Sequence, residues 1–118
     1  MNRSDKDTLG MTEDGRRLLE RLKEDGIFKE LVDGYRFAVA LAIKRELEPA
    51  LGEISTTTTW NVGSFDGDQV LKDLISVLRP ASGNTPYRYI ERLADAGLTE
   101  LARVERTGQM RYAELFDL

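Results

Sequence analysis

The strongest constraint in this sequence is an uninterrupted apolar run over residues 37–43, inside the longer stretch 25–45. A helix that is apolar on every side has to be buried within a protein rather than packed on its surface. The run is far shorter than the about 20 residues that a membrane-spanning helix needs, and Lys44 and Arg45 follow it directly. The stretch therefore predicts the buried central helix of a domain without a transmembrane segment.

The dipeptide Asp33-Gly34 leaves two alternatives for this central helix. One helix continues through it, or a short helix ends near Val32 and a new one starts with Asp33 as its N-cap. We favour the restart, because a Gly inside a helix costs about 1 kcal/mol relative to Ala and because Asp before an apolar run is a common helix start. Small side chains on the new helix would let neighbouring helices approach closely; they are Ala38, Ala40 and Ala42.

Length and composition narrow the class of protein. A chain of 118 residues forms one domain that buries roughly two-thirds of its unfolded surface. The net charge of -4 argues against the basic footprint of non-specific nucleic-acid binding. The chain has no Cys and no His, so it lacks disulfides, thiolate ligands and the commonest general acid–base residue. We expect a cytoplasmic protein that is not an enzyme and binds no cofactor or metal; the chain starts without a secretory signal.

The first part of the chain predicts a flexible tail over residues 1–11, ahead of a single helical domain over 12–118. Thr12 can cap a first helix, with acidic residues in its first turn and Gly26 at its end. One face of this helix carries Leu18, Leu19 and Leu22.

Residues 54–60 are rich in β-branched side chains and favour an extended segment. Such a segment has to pair elsewhere in the chain or with another copy, because its backbone groups need partners. A Trp is more often a packing residue than a ligand platform. The residues that we single out here for partner binding are Thr56, Thr58 and Trp60.

A further helix is expected after Phe65. Asp66 and Gln69 can form a capping box, and Phe65 can pack on Val70 as a hydrophobic staple. The i, i+3, i+4 spacing predicts that the helix buries Val70, Leu71, Leu74, Ile75 and Leu78. The acidic residues near its start lack the Gly and Glu positions of a calcium loop, so we predict no metal there.

The last helix begins at Thr85-Pro86, and Gly97 is its predicted end. Residues 99–106 then favour a further helix, with a hairpin strand that turns at 107–109 as the alternative. The hairpin would give an α+β, winged-helix-like fold in which four arginines contact DNA: Arg88, Arg92, Arg106 and Arg111. The favoured fold is mainly α, with four to five helices and a short extended segment near 54–60.

Several anchors in this order resemble a small bacterial family: Phe28, Asp33, Phe37-Ala38, Trp60, Ala94 and Gly97-Leu98. Members of that family are found with DNA phosphorothioation (Dnd) modification and restriction systems. The likeness covers most of residues 27–101, but Ala42 stands where we would look for Gly. The resemblance implies a bacterial accessory protein with no catalytic residues to carry over. We therefore expect binding to a protein partner or to a second copy through residues 56–60, with a winged-helix DNA-binding regulator as the alternative.

Overall fold

Helices dominate residues 4–106, the part of the chain that the computed structural model describes. This confirms the expected mainly helical fold with a short extended segment. In chain order the elements are strand β1 (Thr8–Met11), helices α1 (Glu13–Glu24) and α2 (Leu31–Lys44), strand β2 (Thr57–Asn61), and helices α3 (Val62–Phe65), α4 (Val70–Leu78) and α5 (Pro86–Arg106), with a 3₁₀ turn at Pro80–Ser82.

Helix α1 follows the sequence pattern closely. The Thr12 hydroxyl accepts a hydrogen bond from the Gly15 N–H at 3.1 Å, as an N-cap does. Gly26 follows the helix with a positive φ of 78°, a conformation that favours glycine. The inward face consists of Leu18, Leu19 and Leu22, all of them buried.

The predicted restart of the central helix at Asp33 is wrong. Helix α2 begins at Leu31 with Glu30 as N-cap, and the Glu30 N–H donates to the Asp33 carboxylate at 3.1 Å. Gly34 therefore lies inside the helix. A Cβ at Gly34 would come within 2.6 Å of Leu19 Cδ2, so the glycine lets α1 pack directly on α2 and offsets its cost in helix propensity.

The predicted end of the last helix at Gly97 is also wrong, because α5 runs unbroken to Arg106. A Cβ at Gly97 would lie 1.9 Å from the Ala38 carbonyl oxygen, so α2 and α5 cross with their backbones in contact. Ala38 and Ala42 are completely buried, as their small side chains predicted, whereas Ala40 is exposed. Residues 99–106 are helical, as favoured, and the alternative turn at 107–109 lies outside the described residues.

The expected flexible tail over residues 1–11 is corrected at its end, in residues 8–11. Thr8–Met11 forms β1, which pairs antiparallel with β2 and places Leu9 opposite Trp60. Leu9 is completely buried. A four-residue strand between polar neighbours has too short an apolar pattern to be recognised from the sequence. Only glycine fits at position 10, since a Cβ added there would lie 2.3 Å from the Thr57 carbonyl oxygen.

The N-terminal segment also connects to α5 through polar contacts. The Asp5 carboxylate accepts from the Tyr87 and Arg88 N–H groups, both at 2.9 Å, and so caps the start of α5. The buried Glu91 carboxylate accepts from Lys6 Nζ at 2.6 and 2.7 Å and from the Gly10 N–H at 2.9 Å. These contacts hold the segment against the core.

Candidate interaction surface

Helix α4 presents most of its large apolar side chains to solvent. Ile75 is its buried residue, and Leu71 is half-buried. The expectation that the helix buries five apolar residues is therefore wrong for three of them, because Val70, Leu74 and Leu78 are exposed. Val77, on the same side, is 76% exposed. These four large aliphatic side chains form a contiguous exposed patch on a nine-residue helix. A single exposed Leu is ordinary in soluble proteins, whereas a contiguous apolar patch often marks an interaction site.

The start of α4 explains why the helix is fixed in this orientation. The Asp66 carboxylate accepts from the Leu71 and Lys72 N–H groups at 3.0 and 2.9 Å and from the Tyr87 hydroxyl at 2.8 Å. Burial, together with the hydrogen bond to Asp66, raises the pKa of the Tyr87 hydroxyl, which stays protonated and donates. Asp66 therefore caps α4 through the Leu71 and Lys72 N–H groups, whereas the predicted capping box would have used the Gln69 N–H. The Gln69 N–H donates instead to the Asp66 carbonyl.

Phe65, one half of the predicted staple with Val70, packs into an aromatic cluster. The Phe65 ring meets the Tyr35 ring edge-on at 5.6 Å, and the Trp60 ring lies 4.8 Å from that of Tyr35. Phe65 is buried there, while Val70 is 59% exposed. The core thus takes the aromatic side chain and leaves the valine outside.

A groove of about 370 Å³ separates α4 from α2. Val39, Ala40 and Ile43 line it from α2, opposite Val70, Leu71 and Leu74 of α4. At its edge Arg36 is fixed, since its Nη2 donates to the Phe65 carbonyl at 2.8 Å and its guanidinium lies 5.1 Å from the centre of the Phe65 ring. We call the groove and the exposed side of α4 together the α4 surface.

The Thr-rich segment is used mostly within the chain. Trp60 is half-buried against Tyr35 and Phe65, which confirms that it is a packing residue. Thr58 is exposed and stands opposite Gly10 in the sheet, and Thr56 is half-buried just before β2. Pairing with β1 occupies one edge of β2. A partner-binding role for these residues stays a prediction.

The described residues contain three of the four arginines of the DNA-binding alternative, and α5 places Arg88 and Arg92 one turn apart. Arg92 Nη1 donates to the Ala50 and Gly52 carbonyls at 2.9 and 2.7 Å, and so holds the loop after α2. Arg88 and Arg106 lie 18 residues apart on α5, which corresponds to about 27 Å of helix. Arg111 lies outside the described residues.

Asp95 is a half-buried carboxyl on α5. Burial raises its pKa, with Glu91 adding to the shift and Arg92 opposing it. Asp95 borders two open clefts of about 410 and 420 Å³ on either side of α5. Across residues 4–106, Asp and Glu side chains nowhere gather in a group of three that could hold a metal ion.

None of the helices in the described range is both long enough and apolar enough to span a bilayer. Comparison with protein-family models, with curated proteins and with solved structures finds no match to this chain. The resemblance to the Dnd-associated proteins therefore stays a prediction.

Proposed function

We propose that this chain is a non-catalytic, cytoplasmic accessory protein that acts by binding protein partners through the α4 surface. The observation that supports this proposal is the exposure of Val70, Leu74, Val77 and Leu78 on one side of a helix. Leaving a large aliphatic side chain in water forgoes about 1.5–3 kcal/mol relative to burying it. A partner that covers these side chains would recover much of that free energy.

The resemblance to Dnd-associated proteins supplies the setting of the proposal, a bacterial DNA modification or defence system. The DNA-binding alternative is not proposed, because Arg92 is already bound to carbonyl groups and Arg106 lies 18 residues from Arg88 along α5. The net charge of -4 gives it no support either.

Photo-crosslinking in the producing cell tests the binding proposal. A photoreactive amino acid at Val77 should crosslink to protein, whereas the same group at Ser76 should not, because Ser76 is exposed on the same helix but lies on the opposite side from Leu74. Equal crosslinking from both positions, or none from Val77, would refute the proposal.

Deleting the gene and measuring the phosphorothioate content of genomic DNA, together with phage sensitivity, tests the biological setting. We expect a change in at least one of the two, restored by the wild-type chain but not by Val77→Glu. If neither changes, the link to DNA modification or defence is wrong, whatever the crosslinking shows.

A further inference from the structure

We propose that the partner on the α4 surface is a second copy of this chain, with the two α4 helices antiparallel across a two-fold axis. The inference rests on the proposed function of this surface and names its occupant. The dimer contact is then α4 and not the Thr-rich segment expected from the sequence.

The apolar side chains of α4 are spaced symmetrically about Leu74. Val70 and Leu78 each lie four residues from it, and Leu71 and Val77 each lie three residues from it. A two-fold dimer needs a self-complementary surface in which residue i meets residue j and residue j meets residue i. An antiparallel pair centred on Leu74 meets this condition for these five side chains, because Val70 opposes Leu78, Leu71 opposes Val77 and Leu74 opposes itself.

The charges at the two ends of α4 are complementary in the same arrangement. Asp68 stands just before the helix and Arg79 just after it. Arg79 is held in place there, since its Nη1 donates to the Leu47 carbonyl and the Tyr89 hydroxyl at 3.0 and 3.1 Å. An antiparallel pair brings Asp68 of each copy towards Arg79 of the other, and the two helix dipoles oppose each other favourably. A parallel pair would bring like charges together at both ends.

The size of the surface sets the expected strength of the dimer. Nine helical residues are about 14 Å long and about 10 Å wide, so α4 alone offers roughly 140 Å². A stable interface buries about 800 Å² per partner. Helix α4 thus supplies only a small part of such an interface, and we therefore expect a weak dimer with a dissociation constant in the micromolar range or above.

Sedimentation velocity of the full chain tests the dimer directly. Between about 1 and about 500 μM, the weight-average mass should rise from the 13.3 kDa of the monomer towards twice that value. Leu74→Asp should remain monomeric over this range, and the matched control Ser76→Asp on the same helix should dimerise as the wild type does. Circular dichroism of both variants excludes unfolding as the cause.

Cysteine crosslinking tests the geometry, since the chain has no Cys of its own. Under mild oxidation Leu74→Cys should form a disulfide-linked dimer and Ser76→Cys should not. A mixture of Val70→Cys and Leu78→Cys chains should crosslink with each other, and neither alone should form the dimer. Crosslinking of Val70→Cys or Leu78→Cys with itself would indicate a parallel pair and overturn the proposal.

The two proposals fail in different ways. A wild-type chain that is monomeric at every concentration, but that crosslinks from Val77 to a different protein, overturns the dimer and leaves the proposed function standing. A monomeric chain that crosslinks to nothing from Val77 overturns both.

Discussion

The crossing of α2 and α5 makes the substitution Gly97→Ala a sharp test of the fold. Judged from the helix alone, the change should stabilise α5 by about 1 kcal/mol, since Ala is the better helix former. In the structure, however, the new Cβ would lie 1.9 Å from the Ala38 carbonyl oxygen, 2.6 Å from its carbon and 3.0 Å from Ala38 Cα. All three are backbone atoms, so no side-chain rotation relieves the overlap and the two helices have to move apart.

Overpacking a core costs typically 1–3 kcal/mol, and a clash with backbone belongs at or above the upper end of that range. After the gain of about 1 kcal/mol in helix propensity is subtracted, we expect Gly97→Ala to lower the free energy of unfolding by about 2 kcal/mol. For a domain of this size the melting temperature should fall by roughly 10 °C.

Urea unfolding of the wild type, of Gly97→Ala and of a control provides the measurement. Gly63→Ala is the matched control, because Gly63 is also helical, is exposed, and has open space where its Cβ would be. This control should be neutral or slightly stabilising. A Gly97→Ala chain as stable as the wild type, or more so, would refute the close contact between the two helices.

Three further substitutions test the polar contacts of α5 by urea unfolding. Glu91→Gln should lower the free energy of unfolding by about 2–3 kcal/mol, because it leaves the partly buried Lys6 ammonium without its charge partner; a change below about 0.5 kcal/mol would contradict this. Asp5→Ala should cost about 1 kcal/mol, the usual value of a lost helix cap, and an unchanged midpoint would show that the cap contributes nothing. Asp95→Asn tests a pH effect: since the folded-state pKa of Asp95 is raised, the contribution of this carboxyl to stability is lost as pH rises from its ordinary pKa of 3.8 through the raised value, and the variant lacks that contribution. The variant should therefore be more stable relative to the wild type at a pH above this window than at a pH below it. A difference in unfolding free energy that is the same at both pH values would count against the raised pKa.

The sequence predicts the ends of a helix correctly where residues next to those ends determine them. Thr12 and Gly26 bound α1 because a side-chain cap and a left-handed glycine act within a few residues. The leucines of α1 face inward because a helical period is a property of the helix itself. The β-branched run likewise becomes β2.

The two interior glycines show where such signals mislead. Gly34 and Gly97 look like helix boundaries in the sequence, since glycine weakens a helix and often ends one. Both lie inside helices because another element needs the space of the missing side chain, namely Leu19 of α1 against Gly34 and the backbone of α2 against Gly97. The requirement for glycine arises from contacts between segments that are distant in the sequence, so no local sequence pattern predicts it.

The candidate surface depends on the same distinction. The apolar period of α4 predicts the helix and its amphipathic character, but a period does not state what covers the apolar face. In the folded domain, Ile75 and the aromatic cluster around Phe65 complete the core on that side, and Leu74 and Val77 remain in solvent. Periodicity thus specifies which side chains share a face, whereas the packing of the whole chain determines whether that face is buried or left for a partner.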